Sequence, residues 1–197
     1  MAFKITRKAD APKVEAPVDF FKPIPAGTYD AHIYNVELKE YGPQSNNAGR
    51  DYYNITYKIA PDQDHAGRRL FAMLLLGERW APTKKNPDGY PNDGLWYFLS
   101  AVDEDGRTPK EFVDLFNETG EINVPSPTDL VAARVRIRVG VENDDYAWRK
   151  AGSPEGKQDE FQRNNVQRVL PPLPEDADEN VISATPLDKT TKRKLTL

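Results

Sequence analysis

The chain has 197 residues, no cysteine, two histidines and a formal net charge of −4, which is length enough for one ordinary domain with tails and a core drawn from about 140 residues. Without cysteine there is no disulfide framework and no thiolate metal site, and His32 and His65 alone cannot make a multi-histidine centre. No apolar run nears the roughly 20 residues that span a bilayer, and MAFKITRKAD lacks the apolar centre of a signal peptide, so a soluble intracellular protein with no membrane contact is expected.

Residues 1–22 mix Lys4, Arg7, Lys8 and Lys13 with proline, alanine and acidic residues and show no sustained period, which predicts a flexible arm pinned at its end by Val18, Phe20 and Phe21. A single domain is expected over residues 23–170. Its first strand, TYDAHIYNVELKEY, carries Tyr29, Ala31 and Ile33 on one parity and Val36 and Leu38 on the other. One residue near Tyr34 or Asn35 must therefore be absorbed in a bulge that bends the strand. The loop GPQSNNAGR is rich in turn formers and ends at Arg50. The second strand then alternates cleanly, with Tyr53, Ile55, Tyr57 and Ile59 facing a core and Tyr52, Asn54, Thr56 and Lys58 facing water.

The turn PDQDHAG precedes a short apolar run opened by Arg68 and Arg69, which suits a third strand buried on both faces. A long Pro/Gly/Asn-rich connection follows over residues 77–92 and carries Trp80, Lys84, Lys85 and Tyr90. Its length points to a function or to mobility, which makes it a candidate site. From Asp93, an available N-cap, the spacing of Leu95, Trp96, Leu99 and Val102 predicts a helix. Thr108, Pro109 and Glu111 predict a second helix with a capping box, its buried side made by Phe112, Leu115 and Phe116. Beyond the linker INVPSPTDL, Val135, Ile137, Val139 and Val141 alternate with Arg134, Arg136 and Arg138 in a fourth strand with an arginine face. A polar stretch holding Tyr146, Trp148, Arg149 and Lys150 leads to a fifth strand, which stops at Pro171 and Pro172. Residues 171–197, proline-rich and first acidic then basic, read as a disordered tail.

The resulting fold class is mainly β: three strands, one or two helices, then two strands, the order of the five-stranded Greek-key barrel called the OB-fold, whose strand 2 and 3 face and loops 1-2 and 4-5 bind oligonucleotides. The segments PAGTYDAHIYNVEL, GRDYYNITYKIAP, GRRLF, DLVAARVRIRVGVE and FQRNNVQRVLP resemble, in order, those of a family of phage-encoded OB-fold proteins regarded as single-stranded DNA-binding or recombination accessory proteins. The resemblance spans roughly residues 23–171. It implies DNA binding rather than catalysis, in the host cytoplasm if the chain is phage-encoded.

Three groups of residues fit such binding. Guanidinium groups on Arg134, Arg136 and Arg138 would stand about 6.6 Å apart along one strand face and could follow a phosphate backbone, or could belong to a solvated face with cross-strand ion pairs. Trp80 and Tyr90 beside Lys84 and Lys85, and Tyr146 and Trp148 beside Arg149 and Lys150, are mixtures that stack bases while holding phosphates, unless the tryptophans fold back as lids. Arg50, Tyr52, Arg68 and Arg69 complete the nucleic-acid-binding set, though strand tyrosines and turn arginines also serve structure alone. Asp62, Asp64 and His65 lack the further ligands of a cation site, and no phosphate-loop, dinucleotide-binding, metalloprotease or serine-hydrolase motif is present, so no enzyme activity, metal or cofactor is expected.

The expected function is therefore sequence-tolerant single-stranded DNA binding by a phage protein, protecting or organising exposed strands in DNA replication or recombination. The tail is either a solubilising disordered end or a docking element for replication or recombination proteins, and a homo-oligomer stays open. The alternative is an OB-like protein-interaction module or virion component that binds no nucleic acid.

Overall fold

The computed structural model describes residues 22–173, so the expectations placed on the arm before Lys22 and on the tail beyond Leu173 lie outside the described residues. The elements are β1 (Gly27–Glu40), β2 (Asp51–Ile59), β3 (Arg69–Leu75), α1 (Asp93–Val102), α2 (Pro109–Thr119), α3 (Pro127–Leu130), β4 (Arg134–Asn143), α4 (Asp145–Lys150), a 3-10 turn (Gln158–Glu160) and β5 (Gln162–Leu170). The five strands form one antiparallel sheet in the order β3-β2-β1-β4-β5.

β1 organises this sheet by pairing with two neighbours. It pairs with β4 from Gly27 opposite Val139 to His32 opposite Arg134, and with β2 from Ala31 opposite Ile59 to Glu40 opposite Asp51. The register slips between Ile33 and Asn35, which makes Tyr34 the extra residue of a bulge, where the change of apolar parity requires one. Both backbone groups of Ile33 are held there from the β4 side: its N–H donates to the Ala133 carbonyl and its carbonyl accepts from the Ala132 N–H. Ala31 and His32 are thus flanked by both neighbours, and beyond the bulge the ladder continues with β2 alone.

β2 keeps the predicted alternation, with Tyr53, Ile55, Tyr57 and Ile59 all buried. From β4, Val135, Ile137 and Val139 join them, while Val141, near the strand's end, is exposed. β3 departs from expectation. Leu70 and Leu74 face the core, but Phe71 and Met73 are 64% and 61% exposed, because β3 is an edge strand whose outer face no described element covers. Likewise the sheet is not closed: among the described residues no ladder joins β3 to β5, so the barrel expected from the strand order is open along that seam.

α1 packs under β3, β4 and β5 and contributes Leu95, Trp96, Phe98 and Leu99 to the core. Asn92, not Asp93, is its N-cap, and the Asn92 amide donates instead to the carbonyls of Leu75 and Gly77, tying the helix to the end of β3. α2 has the predicted capping box between Thr108 and Glu111, with Pro109 in its first turn. Phe112 is buried and Phe116 lies against the Trp96 ring at 5.6 Å, but Leu115 is exposed because α2 meets the core along a stripe too narrow to include it. α3 and α4, short helices begun by Ser126 and Asp144, occupy stretches that read as irregular, since each is only about one turn long.

Candidate nucleic-acid interface

The outward face of β1, β2 and β3 follows from register. Residues directly opposite in an antiparallel ladder share a face. His32 lies opposite Arg134 on one side and Lys58 on the other, and Lys58 lies opposite Arg69. Arg134, His32, Lys58 and Arg69 therefore form one row across four strands, over about 14 Å at the usual strand spacing. The next row joins Asn35, Thr56 and Phe71, and the one after joins Glu37, Asn54 and Met73.

Tyr34 stands between the first two rows. As the bulged residue it has no partner in the β1–β2 ladder and faces outward like His32, 45% exposed, with the Arg69 guanidinium 4.4 Å above its ring and the Lys58 ammonium 5.7 Å from the ring centroid. Arg69 also donates to the Tyr34 hydroxyl at 3.2 Å. Tyr34, Lys58, Arg69 and Phe71 thus set an aromatic ring, an apolar ring and two cations side by side on a solvent-facing sheet. Such a surface can stack planar groups and hold anionic ones. Nearby, the Tyr41 and Tyr52 rings lie 4.3 Å apart, tilted by 36°. Burial pushes the Tyr41 phenol above its ordinary pKa and Tyr52 adds to the shift, so Tyr41 stays neutral near physiological pH. Glu37 interrupts the positive character by pairing with Lys39 at 2.6 Å and accepting from Asn54 at 3.3 Å.

The predicted site residues fall into three groups. Tyr52 and Arg69 belong to this face, and Arg134 continues it onto β4. Arg136 and Arg138 extend the β4 row, opposite Asp30 and Thr28, but Arg136 donates through Nε to the Pro171 carbonyl at 3.1 Å and helps fasten the end of β5. Arg68 lies at the β3 edge and donates to the Lys22 carbonyl.

Arg50 does structural work. Its guanidinium packs against Gly77, where an added methyl would come within 2.7 Å of Nη2, and it donates to Asn47 Oδ1 at 3.4 Å. The same oxygen accepts the Ala81 N–H at 2.9 Å, which joins loop 42–50 to loop 77–92. That second loop is a folded arm: the Trp80 N–H donates to the Tyr90 carbonyl, the Asn92 N–H to the Glu78 carbonyl, and Arg79 bonds the carbonyls of Asp88 and Gly89. Gly89 is required in it, with φ +71° and a position where any Cβ would sit 2.1 Å from the Trp80 carbonyl oxygen. Lys84, Lys85 and Tyr90 are exposed on this arm, while Trp80 is half-buried.

In loop 144–161, Tyr146 is 69% exposed, and Arg149 and Lys150 are exposed beside it on α4. Trp148 is not the exposed ring that its polar surroundings suggest. It is half-buried, and its indole N–H donates to the Pro154 carbonyl at 3.1 Å, folding it onto its own loop. Asp62, Asp64 and His65 lie along an exposed turn, and among the described residues no cluster of His, Asp and Glu is arranged to hold a metal ion. No described helix is long and apolar enough to cross a membrane.

Tyr34, Lys58, Phe71 and Met73 are what sequence reasoning missed as site residues. The parity break marks Tyr34 as the bulge, but its partner across the sheet is a tertiary fact. No family model matches this chain, and no curated protein matches it.

Proposed function

We propose that this chain binds single-stranded DNA with little sequence preference on the outward face of β1, β2 and β3, as an OB-fold protein of the phage-encoded kind that its segments resemble, and that it sheathes exposed strands in replication or recombination. The observation that carries this reading is the Tyr34, Arg69 and Phe71 group beside the Arg134-to-Arg69 row. Bases can stack on any aromatic face whatever their identity, and phosphates can follow the cations, so affinity comes without base readout. The strand order and the bent β1 shared between β2 and β4 support an OB-type sheet, with the loops after β1 and β4 framing the ligand. A net charge of −4 does not oppose this, because attraction depends on the local row of positive charge.

The test is fluorescence anisotropy of a labelled oligothymidine titrated with full-length protein at about 50 mM salt, where phosphate contacts are strongest. Saturable binding that weakens as salt rises is expected, and no binding would overturn the reading. The second reading is a protein-interaction module, favoured by one observation: Phe71 and Met73 stand exposed on β3, whose outer edge pairs with no strand among the described residues and where a partner's strand could add.

A further inference from the structure

Beyond the Tyr34 bulge, β1 keeps β2 on one side and pairs with no strand on the other among the described residues. Contact on the β4 side ends where Ala132 and Ala133 bond to Ile33. Phase decides which backbone groups this leaves open. The Tyr41 N–H donates to the Arg50 carbonyl at 2.9 Å, and in an antiparallel ladder alternate residues face the same neighbour, so Lys39, Glu37 and Asn35 also turn their N–H and C=O groups to β2. Val36, Leu38 and Glu40 turn theirs to the open side. Leu38, in the middle, is 54% exposed although it lies opposite the buried Tyr53 on the core face. Glu37 and Lys39 flank it on the outward face and pair with one another at 2.6 Å.

We propose that a second copy of this chain docks on this edge, β1 against β1, antiparallel about a two-fold axis at Leu38. In that register Leu38 stands opposite the partner's Leu38, and Val36 opposite the partner's Glu40, as hydrogen-bonded pairs that use the open backbone groups. Glu37 stands opposite the partner's Lys39, and Lys39 opposite the partner's Glu37, in the closer pairs that lie between the hydrogen-bonded ones. Charge complementarity selects this occupant. Charged side chains, lysine above all, guard an edge against stray strands, because a like or uncharged neighbour leaves them unpaired. Here an incoming strand must bring an acid to Lys39 and a base to Glu37, and the run Glu37, Leu38, Lys39 does both when read against itself. A patch complementary to itself closes into a two-fold dimer rather than a fibre. The axis stands perpendicular to the sheet, so the outward faces of both copies come to lie on one side of a continuous sheet. Arg69, Phe71 and Met73 lie beyond β2 on β3 and stay open in the dimer. Each outward face is complete within one copy, and the inference does not rest on what that face binds.

Sedimentation of the full-length chain over a range of concentrations is the first measurement, and a mass rising toward twice 22.3 kDa is expected. Glu37→Lys and Lys39→Glu each set like charges opposite one another at both ion-pair positions, so either variant alone should associate about tenfold or more weakly. Mixed, the two variants restore opposite charges at both positions and should form one-to-one pairs, read by co-purification when one of them is tagged. The double variant Glu37→Lys/Lys39→Glu exchanges the charges within one chain and should dimerise like the parent. Circular dichroism should be unchanged throughout, since both side chains are about half exposed. A parent that stays monomeric at every concentration overturns the proposal. A parent dimer that both single variants leave intact overturns it too and places the interface elsewhere, as does weakened association that neither mixing nor the double variant restores.

Discussion

The guanidinium carbon of Arg69 lies 4.4 Å from the centre of the Tyr34 ring, and Nη2 of the same group donates to the Tyr34 hydroxyl at 3.2 Å. The residues belong to strands that are not neighbours, since β2 runs between them. They meet because Tyr34, outward-facing and without a partner in the β1–β2 ladder, lies beside Lys58 of β2. At such an exposed position the cation over the ring contributes about 0.5 to 1 kcal/mol, so its main effect is to hold both groups in place at the centre of the face.

If that face stacks bases, Phe71→Ala and Tyr34→Ala should each weaken oligothymidine binding by about 1 to 3 kcal/mol. Phe71→Ala should shift stability by less than about 0.5 kcal/mol, because the side chain is already 64% exposed. Leu38→Ala, also at an exposed apolar residue but on the other face of the sheet, is the control and should leave affinity unchanged. Titration and thermal denaturation of the three variants check this, and equal affinity in all of them would count against stacking.

The arginines should be separable by salt and by stability together. With about four phosphates neutralised, log K should fall against log salt with a slope of roughly −3, and Arg138→Ala should make that slope shallower by about 0.7. Arg136→Ala should do the same and also cost about 0.5 to 1.5 kcal/mol of stability, because its Nε bond to the Pro171 carbonyl is lost. Salt titrations paired with urea denaturation would distinguish the two arginines.

Trp148 and Tyr146 sit two residues apart and should behave oppositely. Trp148→Ala removes a half-buried ring and its bond to the Pro154 carbonyl, so loop 144–161 should become more sensitive to limited proteolysis and stability should fall by about 1 to 3 kcal/mol. Tyr146→Ala, at a residue 69% exposed, should leave both readouts nearly unchanged. A Trp148→Ala protein as protease-resistant as the parent would contradict the described loop.

The capping box of α2 should contribute a pH dependence. The Thr108 backbone N–H and hydroxyl donate to the Glu111 carboxylate at 2.7 and 2.8 Å and hold its pKa below the usual value. A carboxyl depressed in the folded state stabilises fully above its unfolded pKa, about 4.3, and that stabilisation is lost as pH falls through the lower folded value. Melting temperatures measured from about pH 7 down to pH 3 should therefore fall less steeply in Glu111→Gln than in the parent. Parallel curves would show that the carboxylate contributes nothing.

Local patterns in the sequence were sufficient for the strands and the two longer helices. The alternation of Tyr53, Ile55, Tyr57 and Ile59, the parity break at Tyr34 and the Thr108 to Glu111 box each express a constraint between near neighbours, whether a strand period, a bulge or a helix cap. Pairing decided the rest. The apolar run of β3 reads as fully buried, yet its place at the edge of the sheet leaves Phe71 and Met73 uncovered. Arg134, His32, Lys58 and Arg69 are scattered along the chain and become one row only through the registers of three ladders. A polar neighbourhood suggests an exposed Trp148, but the partner that half-buries it, the Pro154 carbonyl, comes from the fold of its own loop. Residue type and spacing report which face of an element is apolar, whereas the neighbour that covers or exposes that face is set by long-range pairing, for which a single sequence carries no periodic signal.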